Sequence, residues 1–207
     1  MLNIVTVQVG NYCERGEEYV RRLYESFEQH LGDTEFKFWC LTDDPLSLPL
    51  CVEPIEAEPN VNGWWNKISL FKPLLLPRGR ILFSDLDAIA TGDLTEIANY
   101  KGKFAAIRDF YNMIHIQSCL MAWEAGTMDH IWQAWDAAGK PQFDPRGDQA
   151  FIEVMQGNCD YWQDMLPGHV VSYKQMRRLG GVPPHVRLVC FHGRPRPHEV
   201  NFSLKEF

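Results

Sequence analysis

The apolar run Ile81-Leu82-Phe83-Ser84 ends directly in Asp85-Leu86-Asp87, and this junction constrains the chain more than any other short stretch. Pro77 and Gly79 close the segment before it, so the pattern predicts a buried strand over residues 80–84 that runs straight into Asp85. Side chains alternate across a strand, so Asp85 and Asp87 project to the same side of an extended backbone. Like charges held that close repel, and desolvation raises the cost. The pair therefore requires a positive neighbour: a metal ion, a Lys or Arg, or bulk water.

The surrounding pattern predicts an α/β fold. Ile4 to Val9 reads as a buried first strand, with Gly10 and Asn11 as its turn. Val20, Leu23, Tyr24, Phe27 and Leu31 recur at helical spacing, and Gly32 follows as the cap. Residues 35–41 alternate like a second strand, and residues 51–55 like a weaker third that contains Pro54. Ile68, Leu70, Phe71, Leu74 and Leu75 suggest a short helix before the Asp-bearing strand. Further on, strands are expected at 104–107, 118–123, 170–173 and 187–191. One helix should carry Met128, Ile131, Trp132 and Trp135, with Thr127 as N-cap, and another should start near Asp148. Strand–helix–strand alternation implies a largely parallel sheet flanked by helices. With no repeat or linker visible, residues 1–207 read as one domain. In such sheets ligands collect at the C-terminal strand ends, where Asp85 and Asp87 fall.

Composition narrows the partners. A formal net charge of −7 argues against a general nucleic-acid binder, though a local basic site for phosphate is compatible with it. The six cysteines include no C-x-x-C pair, so a local zinc motif is not expected, and they read as reduced thiols in a cytoplasmic protein. The N-terminus has no signal-peptide pattern, and no run approaches the ~18 to 20 apolar residues of a membrane span.

Hard divalent cations prefer carboxylate oxygens, and magnesium is commonly held by one or two carboxylates with substrate phosphates completing its shell. The D-x-D step therefore suggests a metal–diphosphate site. The bland alternative is a turn carrying two solvated acids.

The wider segment WNKISLFKPLLLPRGRILFSDLDAIATGDL resembles the glycosyltransferases of the GT-A fold, most closely their family-8-like group, which uses nucleotide-diphosphate sugars. NIVTVQVGNY resembles the family's first nucleotide-binding strand and loop. QSCLMAWEAG resembles an internal strand, GDQAFI a helix start beside the sugar, and FHGRPRPH the C-terminal His-Gly segment. The resemblance implies a single GT-A-like domain and a metal-dependent hexosyl transfer, UDP-linked in its donor, to an acceptor hydroxyl with retention of configuration. It implies that Asp85 touches the ribose and the metal, Asp87 binds the metal directly, and His192 is the third ligand. An imidazole ligand favours manganese over magnesium. Arg194 and Arg196 would face the leaving diphosphate, with Lys67 a weaker candidate for that task. Val7, Gln8 and Tyr12 would surround the base, and Asp148 and Gln149 would hydrogen-bond the transferred sugar or the acceptor. The acceptor class (saccharide, lipid-linked sugar or protein) is left open, and a partner or dimer interface is one route to recognising it.

The chain also departs from that pattern. Gln117-Ser118-Cys119 stands where the family usually has Asn-Ser-Gly. Cys190 occupies the usual His position, and Arg196-Pro197-His198 replaces a Lys-Pro-Trp ending, which makes His198 the fallback ligand. Plainer roles exist for several residues: Tyr12 as packing over the first helix, Asp148 as an N-cap, Trp64 and Trp65 as loop anchors. Two other readings compete. A haloacid-dehalogenase-like phosphatase would use Asp85 as nucleophile and Asp87 as acid–base, but some eighty residues precede the motif and no later acidic pair is visible. A sugar-nucleotide pyrophosphorylase would need a glycine-rich basic loop that VQVGNYCERG does not supply. A binding module of the same fold, without turnover, is the non-enzyme alternative.

Overall fold

The structure is a computed structural model and describes residues 1–10 and 15–200. In chain order the elements are β1 (Leu2–Gln8), α1 (Gly16–His30), β2 (Phe36–Thr42), β3 (Glu53–Glu56), α2 (Asn66–Ser69), β4 (Arg80–Ser84), β5 (Ala88–Ala90) and α3 (Thr95–Ala98). They continue as β6 (Phe104–Arg108), β7 (Ile116–Glu124), α4 (Asp129–Ala137), α5 (Asp148–Met155), β8 (Asp160–Tyr161), α6 (Trp162–Met165), β9 (Val170–Ser172), α7 (Tyr173–Arg178) and β10 (Leu188–Cys190).

The large sheet has the order β3-β2-β1-β4-β7-β6-β8, and the small sheet β5-β10-β9. Strands β3, β2, β1 and β4 are mutually parallel, β7 is antiparallel to β4 and β6, and β8 returns parallel to β6. The continuous apolar run of β4 is explained by helices covering both faces, since a strand buried on both sides has no polar side to show. Leu82 joins Ile4, Phe38 and the α1 residues Tyr19, Leu23 and Phe27 on one face. Its neighbours Ile81 and Phe83 join Val5, Trp123, Ile68 and Ile131 on the other. The α/β class and mostly parallel sheet expected from the sequence are what the chain forms.

Local differences have local causes. Helix α2 stops at Ser69, well before Leu75. Pro73 has no N–H and disfavours helical backbone at the residue before it, so the chain continues as tight turns and Leu74 takes φ 64°. The Thr127 hydroxyl donates to the Glu124 carbonyl at 2.7 Å, and Met128 is the N-cap of α4. Gly147, not Asp148, precedes α5 as its N-cap, and Asp148 is the first helical residue.

Candidate functional site

The two aspartates leave β4 and are fixed by their backbones. The Asp85 N–H donates to the Cys119 carbonyl of β7 at 2.8 Å, and the Asp87 carbonyl accepts from the Phe191 N–H, just past β10, at 3.1 Å. Three strands thus converge on one spot. Each carboxylate then meets a different cation. Lys67, on α2, places Nζ 2.7 Å from Asp85 Oδ1 and 3.0 Å from Oδ2. Arg196 places Nη1 2.5 Å from Asp87 Oδ2. Of the positive neighbours that the sequence demanded, two are therefore protein side chains.

Lys67 is buried because its charge is surrounded by acceptors: Asp85, the Ser118 hydroxyl at 3.1 Å, and Asp148 Oδ1 at 4.0 Å. Ser118 in turn donates to Asp148, so one hydroxyl links the lysine to the second acid. Asp148 Oδ2 is buried without a hydrogen-bond partner. Burial drives the Asp148 carboxyl above its usual range, with Lys67 and Ser118 opposing. Burial and the nearby Asp85 push Asp87 up to about 7, against the pull of Arg196 and Lys67. A carboxylate so poised is one that gains from an added positive charge.

The third member of the cluster is a thiol. One ligand atom each from Asp85, Asp87 and Cys119 lie within 4.8 Å of one another, which fits a single cation. Cys119 is hydrogen-bonded to Cys190, and that bond, burial and the adjacent carboxylates hold its thiol well above its ordinary pKa. His192 is not in this group. Its Nε2 lies 2.7 Å from Ser172 Oγ, and its ring stacks on Phe110 with centroids 5.5 Å apart. Burial first, then Lys174, lowers its pKa to about 4, so it is neutral. The fallback His198 bonds instead to the Tyr19 hydroxyl, at 2.5 Å through Nδ1. Arg194 is exposed and pairs with Glu199.

Beside Lys67 a cleft of about 170 Å³ is lined by Trp64, Asp85, Gln117, Ser118, Gly147, Asp148 and Gln149, among others. Gly147 shapes it: φ is 71°, and a Cβ there would stand 2.8 Å from the Trp64 indole nitrogen. Only glycine permits both the backbone and the close approach. At the ends of β2 and β3 a second cleft, about 510 Å³, is lined by Thr42, Asp43, Pro45 and Glu56 among others. Asp43 accepts the Gly10 N–H with both oxygens at 3.0 Å, and Gln8 accepts from the Thr42 hydroxyl at 2.9 Å, which pins the end of β1 beside this cleft. Val7 is buried in the core, and Tyr12 lies outside the described residues.

Sequence reading missed Cys119 as a donor and Cys190 as its partner. The signal was present: both are among the positions at which the chain departs from the family pattern it resembles.

Solved structures share this architecture. An active-site mutant of LgtC aligns over 97% of this chain and 91% of its own, with 11% identity and a TM-score of 0.69. The galactosyltransferase LgtC in complex with donor and acceptor sugar analogues aligns over 94% and 88%, with 12% identity and a TM-score of 0.64. The glycosyltransferase GlyE of Streptococcus pneumoniae aligns over 94% of this chain and 55% of its own, with 15% identity and a TM-score of 0.68. The chain has the GT-A glycosyltransferase fold. No protein-family profile and no curated protein matches the sequence. Among the described residues, no helix is long and apolar enough to cross a membrane.

Proposed function

We propose that this chain is a metal-dependent glycosyltransferase that moves a hexose from a nucleotide-diphosphate sugar, UDP-linked, to an acceptor hydroxyl with retention of configuration. The observation that carries the reading is the convergence of Asp85, Asp87 and Cys119 at the end of β4 in a glycosyltransferase fold, with Lys67 and Arg196 beside them. A divalent cation held by that group, manganese on the family resemblance, would supply Lewis-acid stabilisation of the leaving diphosphate.

The chain's own residues do the rest. Arg196 stands against Asp87, so its guanidinium is placed to share charge with a diphosphate oxygen as negative charge accumulates there. Lys67 fixes Asp85 through both oxygens and leaves its orientation little freedom. Asp148 and Gln149 line the smaller cleft, which supports their reading as hydrogen-bond partners of sugar hydroxyls. The larger cleft beside Gly10 accommodates the base. A phosphatase using Asp85 as nucleophile is disfavoured, because the solved structures that share this architecture are glycosyltransferases.

The test is a thermal-stability scan with UDP, GDP and CDP, each with and without manganese. A ligand at about a hundredfold excess over its dissociation constant stabilises the fold by about 2.7 kcal/mol. A shift for UDP that needs the metal supports the reading, and no shift for any nucleotide removes it.

A further inference from the structure

The donor set at the Asp pair differs from the two carboxylates and imidazole that the family resemblance implies. Cys119 Sγ is the third potential ligand atom within 4.8 Å of the carboxylate oxygens, while His192 and His198 are bonded to Ser172 and Tyr19. The placement follows from the sheets. Strand β7 pairs with β4, so that the Cys119 carbonyl receives the Asp85 N–H. Strand β10 pairs with β5, setting Cys190 opposite Ala88, the residue after Asp87. The two thiols meet there, both buried and both reduced.

A second observation also points to an added cation. Lys67 faces two acids, Asp85 at 2.7 Å and Asp148 at 4.0 Å, while Arg196 faces Asp87. Asp148 Oδ2 is 3% exposed by residue and has no hydrogen-bond partner. Three carboxyl groups thus neighbour two protein cations.

We propose that Cys119 is a direct ligand of the divalent cation held by Asp85 and Asp87, oriented by the Cys190 thiol, so that the site selects a thiophilic ion of the zinc type over magnesium. This rests on the reading of the Asp pair as a cation site. Thiolate sulfur is a soft donor suited to zinc, whereas magnesium takes oxygen ligands and keeps its waters. On binding, the Cys119 S–H bond breaks, a sulfur–metal bond forms, and the proton leaves to solvent. Cys190 then donates its S–H to the new thiolate, as outer-shell partners of metal ligands do. Arg196 occupies Asp87 Oδ2, and a carboxylate has lone pairs on two oxygens, so arginine and ion can share the group.

The experiment uses the whole chain with a phosphine reductant and cobalt(II) as probe. Bound cobalt should show a sulfur-to-metal charge-transfer band in the near ultraviolet at one equivalent. Zinc should abolish that band stoichiometrically, and a large excess of magnesium should not. Cys119→Ser should lose the band while cobalt still binds, and Cys190→Ala and Cys51→Ser should keep it. Outer-shell changes at metal sites cost about 10–100-fold in affinity, so loss of the thiolate should weaken zinc by at least ~10-fold. Zinc-edge X-ray absorption on the unsubstituted protein gives a check that needs no variant: one sulfur neighbour is expected. A band retained in Cys119→Ser, or bound zinc without sulfur, overturns the thiol assignment and leaves the cation site standing. Failure of the protein to bind cobalt by equilibrium dialysis overturns both.

Discussion

Arg196 and Asp87, 109 residues apart, meet through a 2.5 Å contact between Nη1 and Oδ2. This pair ties the C-terminal segment to the end of β4, just as Lys67 ties α2 to Asp85. Each acid of the motif therefore has its own cation before any ligand arrives. The site is organised as two ion pairs side by side, with a thiol pair behind them.

Removing one charge tests the role of the motif directly. Asp87→Asn keeps the volume and should leave the circular-dichroism spectrum unchanged. Metal-dependent stabilisation by UDP should disappear, and retention of a shift within about threefold of the parent affinity, roughly 0.65 kcal/mol, would remove Asp87 from the cation site.

Lys67 makes a different prediction because it is almost fully buried among acids. Lys67→Met leaves Asp85 and Asp148 without their shared counter-charge. Breaking a buried pair in this way costs about 3–5 kcal/mol, which for a chain of this size lowers Tm by on the order of 10 °C. Adding Asp85→Asn to Lys67→Met should restore part of the loss, whereas two additive losses in a thermal melt would show that the pair does not couple.

The raised Asp87 carboxyl fixes a pH dependence. Its folded value of about 7 lies above the ordinary 3.8, so the folded state binds the extra proton between those values. The stability it contributes is full below the ordinary value and is lost as pH rises through about 7. Cation binding runs the opposite way, since it needs the ionised group and should strengthen through the same window. Melting curves of the metal-free protein across this range should slope downward with pH, and the slope should flatten in Asp87→Asn.

Gly147 offers a test of the smaller cleft. Gly147→Ala would push a methyl carbon into the Trp64 indole and impose an L side chain at φ 71°. Strain of this kind costs about 1–3 kcal/mol. Because Asp148 follows immediately, binding of an intact UDP-sugar should suffer more than binding of UDP alone. Equal loss for both ligands, measured by calorimetry, would separate this loop from the sugar.

The parts of the site that could be read in the sequence were those with local signatures. Residues 80–84 and the Asp pair form one continuous pattern, and the apolar run identified β4 to the residue. The third donor of the proposed cation site was not local. The expected strand over 187–191 is shorter, Leu188–Cys190, so His192 lies beyond its end and its side chain turns to Ser172. Cys119 reaches Asp85 only through the pairing of β7 with β4, a long-range register that no short window contains. Strands β5, β9 and β10 have three residues each, too few to show a period of two against the background of apolar residues.

The ion pair between Arg196 and Asp87 also has a consequence in time. A ribosome adds about 5–20 residues per second, so the 109 residues between the partners correspond to roughly 5–20 s of synthesis. During that interval the nascent chain carries both aspartates without the arginine, and β10, the strand that seats Cys190, is made only near its end. Strand β1 is made early and Arg196 late, so Asp87 waits for its counter-charge until every strand of both sheets has been made.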